Sequence, residues 1–246
     1  MENQGHILLL AGSAEARQIA AALAAAGIPM RALKTEPPRG DAEMSMPFEL
    51  CEDVTPDRLA GLMAGAVAVI DASHGFDAEL SAAGAAAAAR LGVPIVSLSR
   101  PAWDASENPK WQTAASPEAA MGLIAPGARV FATTGWASLA SLAAFPGARL
   151  FLRQTAAHDR AAPFDFVEPV FGAAPFTVDT EAALFRSLRI DTLLARNLGG
   201  VPSRPKLDAA LALDLDVILI DRPPKPAGLP AVETVEEVMA WLEAQL

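Results

Sequence analysis

Hydroxyl and glycine residues cluster at Thr133-Thr134-Gly135, directly after an apolar segment that is typical of a buried strand. Such a turn combines two hydroxyls, a permissive glycine and the free backbone N–H groups of a helix start, which together suit a pyrophosphate. The simpler interpretation is an ordinary strand-to-helix turn capped by threonine. Gly199-Gly200 likewise permits either close backbone approach to a ligand or a flexible loop. No G-x-G-x-x-G follows this segment or the first strand of the chain, so the common dinucleotide fingerprint is absent.

Basic residues follow two segments that are predicted to be second strands. Arg153 holds a position at which an arginine accommodates the 2′-phosphate of NADPH, whereas an acid selects the ribose 2′-hydroxyl of NADH. No acid follows it until Asp159, and Lys34 holds the equivalent position earlier in the chain with Glu36 nearby. The alternative for each is a solvated surface charge, the commonest fate of an isolated Arg or Lys. The residues favour NADPH over NADH, and the second half of the chain as its site.

Two further residues point to an anionic ligand. His74, between Ser73 and Gly75, suits proton donation, carboxylate binding or a structural hydrogen bond. Arg17 lies in the first turn of a predicted helix, where its charge opposes the helix macrodipole. The histidines lack metal-ligand spacing, Cys51 is the single cysteine, and no G-x-S-x-G occurs, so metal catalysis and serine hydrolysis are not favoured and no metal is expected.

Short apolar strands alternate with alanine-rich helices along the chain, which is typical of parallel α/β units. The pattern repeats, because Arg100-Pro101 and Arg222-Pro223 each end a predicted strand and lie 122 residues apart. We therefore predict an α/β fold of two Rossmann-like domains with mostly parallel sheets, residues 1–127 and 128–246. Ligands bind beyond the carboxyl ends of parallel strands, so we also expect a ligand cleft between the domains.

Composition limits the class of protein. The 246-residue chain has 52% hydrophobic residues and a formal net charge of −10. Since no run of three Lys or Arg occurs, a nucleic-acid partner is not expected, although locally clustered arginines leave an anionic small molecule open. The apolar runs are shorter than the roughly 18 residues of a membrane helix, and Met1-Glu2-Asn3-Gln4 has no basic leader pattern. We expect a soluble, cytoplasmic protein with no membrane partner.

A set of short motifs occurs in order over nearly the whole chain: residues 12–17 (G-S-A-E-A-R), 71–76 (D-A-S-H-G-F), 100–103 (R-P-A-W), 133–135 (T-T-G), 175–177 (P-F-T), 196–200 (R-N-L-G-G), Lys206 and 221–224 (D-R-P-P). Together they resemble the precorrin-6A reductase family of cobalamin (corrin ring) biosynthesis. That family often has a serine where Leu198 stands in this chain. The resemblance implies NADPH-dependent reduction of a double bond in precorrin-6A, a polycarboxylate tetrapyrrole, to give precorrin-6B.

The resemblance also implies roles for individual residues, with precorrin-6A bound by residues 1–127 and NADPH by residues 128–246. A polycarboxylate substrate needs several cationic or hydrogen-bonding groups, and those implied are Ser13, Arg17, His74, Arg100, Lys206 and Arg222. The cofactor-binding residues implied are Thr133, Thr134, Gly135, Arg153, Asn197, Gly199 and Gly200. No catalytic side chain is assigned, and other enzymes of the pathway are candidate partners.

Three alternatives stay open on the sequence. One is a nucleotide-sugar-dependent transferase, and another is a non-catalytic two-lobed binder of a small molecule. The third keeps the reductase but reverses the domains, so that NADPH lies near Lys34 in the first half. Binding of NADPH separates the reductase from the first two alternatives.

Overall fold

A computed structural model of the protein describes residues 5–36 and 47–246, so that Met1-Glu2-Asn3-Gln4 lies outside the described residues. The strands are β1 (His6–Ala11), β2 (Met30–Lys34), β3 (Phe48–Leu50), β4 (Ala66–Ala72), β5 (Ile95–Leu98), β6 (Trp111–Ala114), β7 (Arg129–Ala132), β8 (Arg149–Gln154), β9 (Val167–Phe171), β10 (Thr192–Arg196), β11 (Asp216–Ile220) and β12 (Ala231–Val232). The α-helices are α1 (Ala14–Ala25), α2 (Pro56–Leu62), α3 (Ala78–Leu91), α4 (Pro117–Met121), α5 (Val178–Ser187), α6 (Pro205–Ala212) and α7 (Val235–Glu243). Two short 3-10 segments are Ala105–Glu107 and Trp136–Leu142.

Apart from α6, the α-helices named above begin where the sequence supplies a capping side chain. Ser13 and Asp77 each accept a hydrogen bond from a backbone N–H in the first turn of α1 and α3. Thr234 and Glu237 form a capping box at the start of α7. Each such cap contributes about 0.5–2 kcal/mol to stability. Gly92 ends α3 in the left-handed conformation with φ 68°, as its place after the predicted helix indicates.

The strands form two six-stranded sheets of matching order, in which every described strand pair is parallel. The first sheet runs β12-β5-β4-β1-β2-β3, and the second runs β6-β11-β10-β7-β8-β9. The predicted α/β fold with parallel sheets is confirmed. The strand order reverses between β1 and β4 in one sheet and between β7 and β10 in the other, and ligands bind at such points.

The chain divides into two compact units, but the boundary between them does not lie at residue 127. Unit 1 comprises Met1–Pro101 together with Pro223–Leu246, and unit 2 comprises Ala102–Arg222. Strand β6 precedes residue 127 but pairs with β11 in unit 2, whereas β12 pairs with β5 in unit 1. The position of the division differs from the sequence prediction because edge-strand pairing is a long-range contact that local patterning does not encode.

Four local features differ from the sequence prediction or were absent from it. Strands β3, β9 and β12 were not predicted, since β3 and β12 are very short and β9 contains Pro169. Proline is tolerated there because β9 lies at the edge of its sheet. The helix predicted after Gly135 is the 3-10 segment Trp136–Leu142.

The core of unit 1 has two layers because alternate residues of β1 face opposite sides of the sheet. Ile7 and Leu9 pack with side chains of α1 and α7, whereas Leu8 and Leu10 pack with those of α2 and α3. In unit 2, Phe131 of β7 packs with residues of α5 and α6. Within the described part of the chain, none of the helices has both the length and the apolar character that crossing a membrane requires.

Candidate active site

The turn that follows β7, residues 133–136, carries backbone N–H groups that have no acceptor; we call it the β7 turn. The N–H of Thr133 donates to the carbonyl of Leu194 at 2.9 Å. The next three N–H groups, those of Thr134, Gly135 and Trp136, donate to no acceptor among residues 5–36 and 47–246. Successive N–H groups of this kind attract an anion. The β7 turn therefore offers the donors that a phosphate group needs, at the point where the strand order reverses.

Gly135 is required by the conformation of the β7 turn. Its φ of 84° and ψ of 161° lie in a region that is essentially confined to glycine. A Cβ atom at this position would lie 3.3 Å from Nη2 of Arg196, so the guanidinium of Arg196 lies against the turn. Thr134 is buried, and its hydroxyl accepts a hydrogen bond from Ser138 at 2.7 Å. The structure thus brings Thr133, Thr134 and Gly135 together with a cationic side chain from the end of the neighbouring strand β10.

The side chain of Asn197 holds the loop of residues 196–200 in place. Its Oδ1 accepts the backbone N–H of Trp103 at 2.8 Å, and its Nδ2 donates to the carbonyl of the same residue at 3.0 Å. The indole N–H of Trp103 donates to the carbonyl of Gly200 at 3.2 Å. Gly199 and Gly200 both have positive φ, 66° and 73°. The R-P-A-W and R-N-L-G-G motifs therefore meet, and the amide of Asn197 positions a loop.

Arg153 is enclosed within unit 2 at the end of β8. One of its terminal nitrogens donates to Oε1 of Glu181 at 2.9 Å, and the two side chains are only 8% and 3% exposed. Its guanidinium lies 4.1 Å from the ring centre of Phe176 and 5.0 Å from that of Phe131. The P-F-T motif of residues 175–177 thus builds a clamp for Arg153, since Thr177 caps the helix α5 that carries Glu181. The guanidinium of Arg153, which the sequence suggested would bind a 2′-phosphate, is therefore paired with Glu181 instead.

In the turn after β1, residues 12–15, two backbone N–H groups donate to the neighbouring strand β4; we call it the β1 turn. The N–H groups of Gly12 and Ser13 both donate to the carbonyl of Ala72, at 3.1 and 3.0 Å. A Cβ atom on Gly12 would lie 2.4 Å from the backbone nitrogen of His74, so the two loops touch. Nδ1 of His74 accepts the N–H of Phe76 at 3.2 Å, which leaves Nε2 to carry the proton of the neutral ring. His74 is therefore held as a hydrogen-bond donor at the same edge as Ser13.

A buried carboxylate lies behind this edge of unit 1. Asp71 is fully buried and accepts hydrogen bonds from the hydroxyls of Ser73, Ser81 and Ser97 and from the ammonium of Lys225. Burial alone would raise the pKa of Asp71, but Lys225 and the hydroxyls of Ser73 and Ser81 lower the pKa below its ordinary value. The contact with Lys225, 3.2 Å, also fastens the chain segment that returns to unit 1.

Arg100 and Arg17 differ in how their charges are used. Arg100 pairs with Oε1 of Glu15 at 2.9 Å, and the two side chains are 15% and 12% exposed. The other oxygen of Glu15 is buried and accepts no hydrogen bond within the described residues. Arg17 lies in the first turn of α1 and is exposed to solvent. Of the two arginines, Arg17 therefore offers the more accessible charge.

The predicted substrate residues are divided between the two units. Lys206 lies in unit 2, where its ammonium donates to the carbonyl of Ser203 at 2.7 Å and lies 5.4 Å from the ring centre of Trp103. Arg222 is half-buried at the end of the same unit. The residues in unit 1 are Ser13, Arg17, His74 and Arg100.

Among the described residues, neither a metal-binding cluster nor an activated cysteine lies at these edges. In the parts of the chain that the structure describes, no three His, Cys, Asp or Glu side chains are grouped so as to hold a metal ion. Cys51 is buried, and burial raises the pKa of its thiol. A raised pKa keeps the thiol protonated and weakly nucleophilic.

Comparison with known proteins identifies the family. A sequence model of the precorrin-6x reductases CbiJ/CobK matches residues 6–243. The chain belongs to the precorrin-6x reductase family. It is 34% identical to a precorrin-6A reductase of Rhodococcus erythropolis, over 96% of each chain. It is also 34% identical to that of Rhodobacter capsulatus, over 96% of this chain and 95% of the relative.

A solved structure agrees with this assignment. A CobK precorrin-6A reductase superposes with a TM-score of 0.88 and 32% identity, covering 98% of this chain and 97% of the other. The protein is therefore an oxidoreductase of cobalamin biosynthesis, as the motifs predicted. The transferase and the non-catalytic binder are not favoured. Leu198, which differs from the family motif, packs against the core of unit 2 and so has a structural contact of its own.

Several residues of the two edges were not singled out in the sequence. Glu181 and Lys225 lie 28 and 154 residues from their partners Arg153 and Asp71, so no local pattern connects them. Arg196 was visible only as a member of the R-N-L-G-G motif. Its position at the end of a strand next to β7 was the available signal, because carboxyl ends of adjacent parallel strands meet at one edge.

Proposed function

We propose that this reductase uses NADPH to reduce a double bond of precorrin-6A, giving precorrin-6B, with NADPH bound to unit 2 and precorrin-6A to unit 1. The observation that carries the location of the cofactor is the row of three N–H groups, at Thr134, Gly135 and Trp136, that donate to no acceptor within the described residues. The relatives named above support the substrate, since they are precorrin-6A reductases. The proposed setting is the cytoplasm, where NADPH is available.

The residues of unit 2 fit a dinucleotide pyrophosphate. The N–H groups of the β7 turn and the guanidinium of Arg196 would hold its negative charge, and Gly135 keeps the backbone open to it. Asn197 fixes the loop that carries Gly199 and Gly200, where the absence of side chains permits close approach. When bound, NADPH supplies the hydride. The protein's share is to orient the two reactants and to exclude water.

The substrate is a polycarboxylate, and unit 1 offers it donors at the carboxyl ends of its strands. Arg17 is exposed in the first turn of α1, where it suits a carboxylate. His74 in its neutral form presents Nε2–H, so it would donate a hydrogen bond to substrate while its ring is held by Phe76. Ser13, Arg100, Lys206 and Arg222 stay in the proposed contact set.

The reverse assignment, with NADPH in unit 1, has weaker support. The N–H groups of Gly12 and Ser13 in the β1 turn donate to the carbonyl of Ala72 in β4, and Glu15, paired with Arg100, adds an acid to the first turn of α1. Lys34, the candidate for its 2′-phosphate, has its ammonium 5.1 Å from the ring centre of Phe48. Unit 2 lacks an acid in the segment Trp136–Leu142 that follows its own turn.

A two-stage experiment tests the proposal. Reduced-cofactor fluorescence is titrated with purified protein, first with NADPH and then with NADH. Precorrin-6A is then added, and the absorbance of the reduced nicotinamide is followed together with the mass of the product. We expect tighter binding of NADPH and a gain of two hydrogens by the macrocycle. Failure of NADPH to bind, both in the presence and in the absence of substrate, would contradict the proposal.

A further inference from the structure

Unit 2 holds an exposed arginine close to the β7 turn, in a loop that a histidine keeps in place. The loop follows β8 and comprises residues 155–161; we call it the His158 loop. Arg160 lies in this loop with its side chain exposed. Arg153, by contrast, is committed to Glu181 and is almost fully buried. The cationic group that remains available beyond the end of β8 is therefore Arg160 rather than Arg153.

The ring of His158 connects the loop to three elements of unit 2. It lies edge-on to Trp136 of the β7 turn at 4.6 Å between ring centres, and to Phe171 at the end of β9 at 5.3 Å. Its Nε2 lies 3.2 Å from Oε1 of Gln154, and its Nδ1 accepts the backbone N–H of Arg160 at 3.2 Å. These two contacts place the ring proton on Nε2. The backbone of Arg160 is thus bonded to a histidine ring that contacts Trp136 of the β7 turn.

An exposed aromatic ring lies beside this loop. Phe171 is 50% exposed although it ends a strand of the sheet. Exposed aromatic faces can stack on any of the nucleobases, because every base has a π-face. In dinucleotide-binding sheets the ribose next to the adenine lies by the end of the second strand, which is β8 here. The Phe171 ring and the His158 loop therefore face the place where the adenosine half of a dinucleotide would lie.

We propose that Arg160, positioned by His158, binds the 2′-phosphate of the cofactor and gives this reductase its preference for NADPH, while Phe171 supports the adenine. This inference rests on the proposed function, because it assumes that the dinucleotide lies in unit 2. Asp159, the neighbouring acid, is also exposed and is the competing residue. If it took the ribose instead, it would select the 2′-hydroxyl of NADH.

The test measures binding rather than turnover. Dissociation constants of the full-length protein are measured for NADPH, NADH, adenosine 2′,5′-bisphosphate and 5′-AMP, which carries no 2′-phosphate. We expect Arg160→Gln to weaken NADPH and the bisphosphate about 10- to 150-fold, as loss of charge-assisted hydrogen bonds would, and to leave NADH and 5′-AMP unchanged. Arg186→Gln is the matched control, since it removes an exposed charge from the last turn of α5 in the same unit.

Variants of His158 test the positioning role. His158→Ala removes the acceptor of the Arg160 N–H, and we expect the ratio of NADPH to NADH affinity to fall at least severalfold. His158→Asn keeps an acceptor for an N–H two residues on, so it should restore much of that ratio. A purely structural role would lower stability in both variants without changing the ratio.

The outcomes separate this inference from the function on which it rests. Equal binding of NADPH and NADH by the unsubstituted protein would contradict the proposed cofactor. A preference for NADPH that survives Arg160→Gln would overturn the role of Arg160 alone. A preference that is lost on Lys34→Gln but not on Arg160→Gln would move the 2′-phosphate to unit 1. A gain of NADPH affinity on Asp159→Asn together with loss on Arg160→Gln would support the competition between the two residues.

Discussion

The β1 turn and the β7 turn occupy the same place in two sheets of matching strand order, yet their chemistry differs. In the β1 turn, two N–H groups share the carbonyl of Ala72, and Glu15 brings a negative charge into the first turn of α1. In the β7 turn, three N–H groups have no acceptor among the described residues, and Arg196 lies against Gly135. Topology therefore provides two possible sites, while local hydrogen bonding and charge decide which one suits a phosphate.

The largest expected effect concerns stability. Arg153→Met leaves the carboxylate of Glu181 buried without its partner, which typically costs about 3–5 kcal/mol. Urea denaturation followed by circular dichroism measures the change in the free energy of unfolding. A variant that kept its stability but lost its preference for NADPH over NADH would contradict the structural role of Arg153. Arg153 would then read the 2′-phosphate, as the sequence alone suggested.

Substitution of the two turn glycines compares the sites directly. Gly135→Ala forces a side chain into a backbone region that costs on the order of 1–3 kcal/mol, so we expect NADPH binding to weaken roughly 5- to 150-fold as the turn shifts. Gly12→Ala instead presses on the backbone of His74, and we expect it to raise the KM for precorrin-6A without changing the Kd of NADPH. Fluorescence titration and steady-state kinetics give these two quantities.

A control for the effect of backbone strain alone is available in unit 2, which also contains Gly135. Gly127 has φ 78°, and a Cβ atom there would meet nothing within 4 Å. Gly127→Ala should therefore lower stability without changing the Kd of NADPH. If Gly12→Ala weakened NADPH while Gly135→Ala did not, the cofactor would belong to unit 1.

The smallest expected effect belongs to Arg17. Because this side chain is exposed, its contact with a substrate carboxylate is screened by water and contributes about 0.2–1 kcal/mol. We expect Arg17→Ala to raise the KM for precorrin-6A by roughly 1.5- to fivefold and to leave NADPH binding unchanged. The KM effect should shrink as salt is added. A change confined to NADPH binding would contradict the location of the substrate in unit 1.

Local patterns predicted most of the fold. Strand β1, His6–Ala11, follows from the sequence because its apolar run is short and is bordered by Gly5 and Gly12. The sheet to which β6 belongs did not follow from the sequence. Its partner β11 lies about a hundred residues further along, and nothing in either strand specifies that pairing.

The candidate sites were predicted less completely. Thr133, Thr134 and Gly135 share one turn, and that grouping could be found from spacing alone. The enclosure of Arg153 could not, because its partner Glu181 comes from a helix whose docking depends on tertiary packing. An arginine at the end of a second strand has the same sequence signature whether it faces a ligand or a buried acid.

Because β6 pairs in the second sheet and β12 pairs in the first, the two units are completed at different stages of synthesis. Unit 2 is one uninterrupted stretch, Ala102–Arg222, so all of its residues have been added to the growing chain before Pro223. Unit 1 begins first, but its sheet cannot be completed until β12, which follows unit 2 in the chain, has been synthesised. The unit whose synthesis begins first is therefore the last to have all the strands of its sheet synthesised.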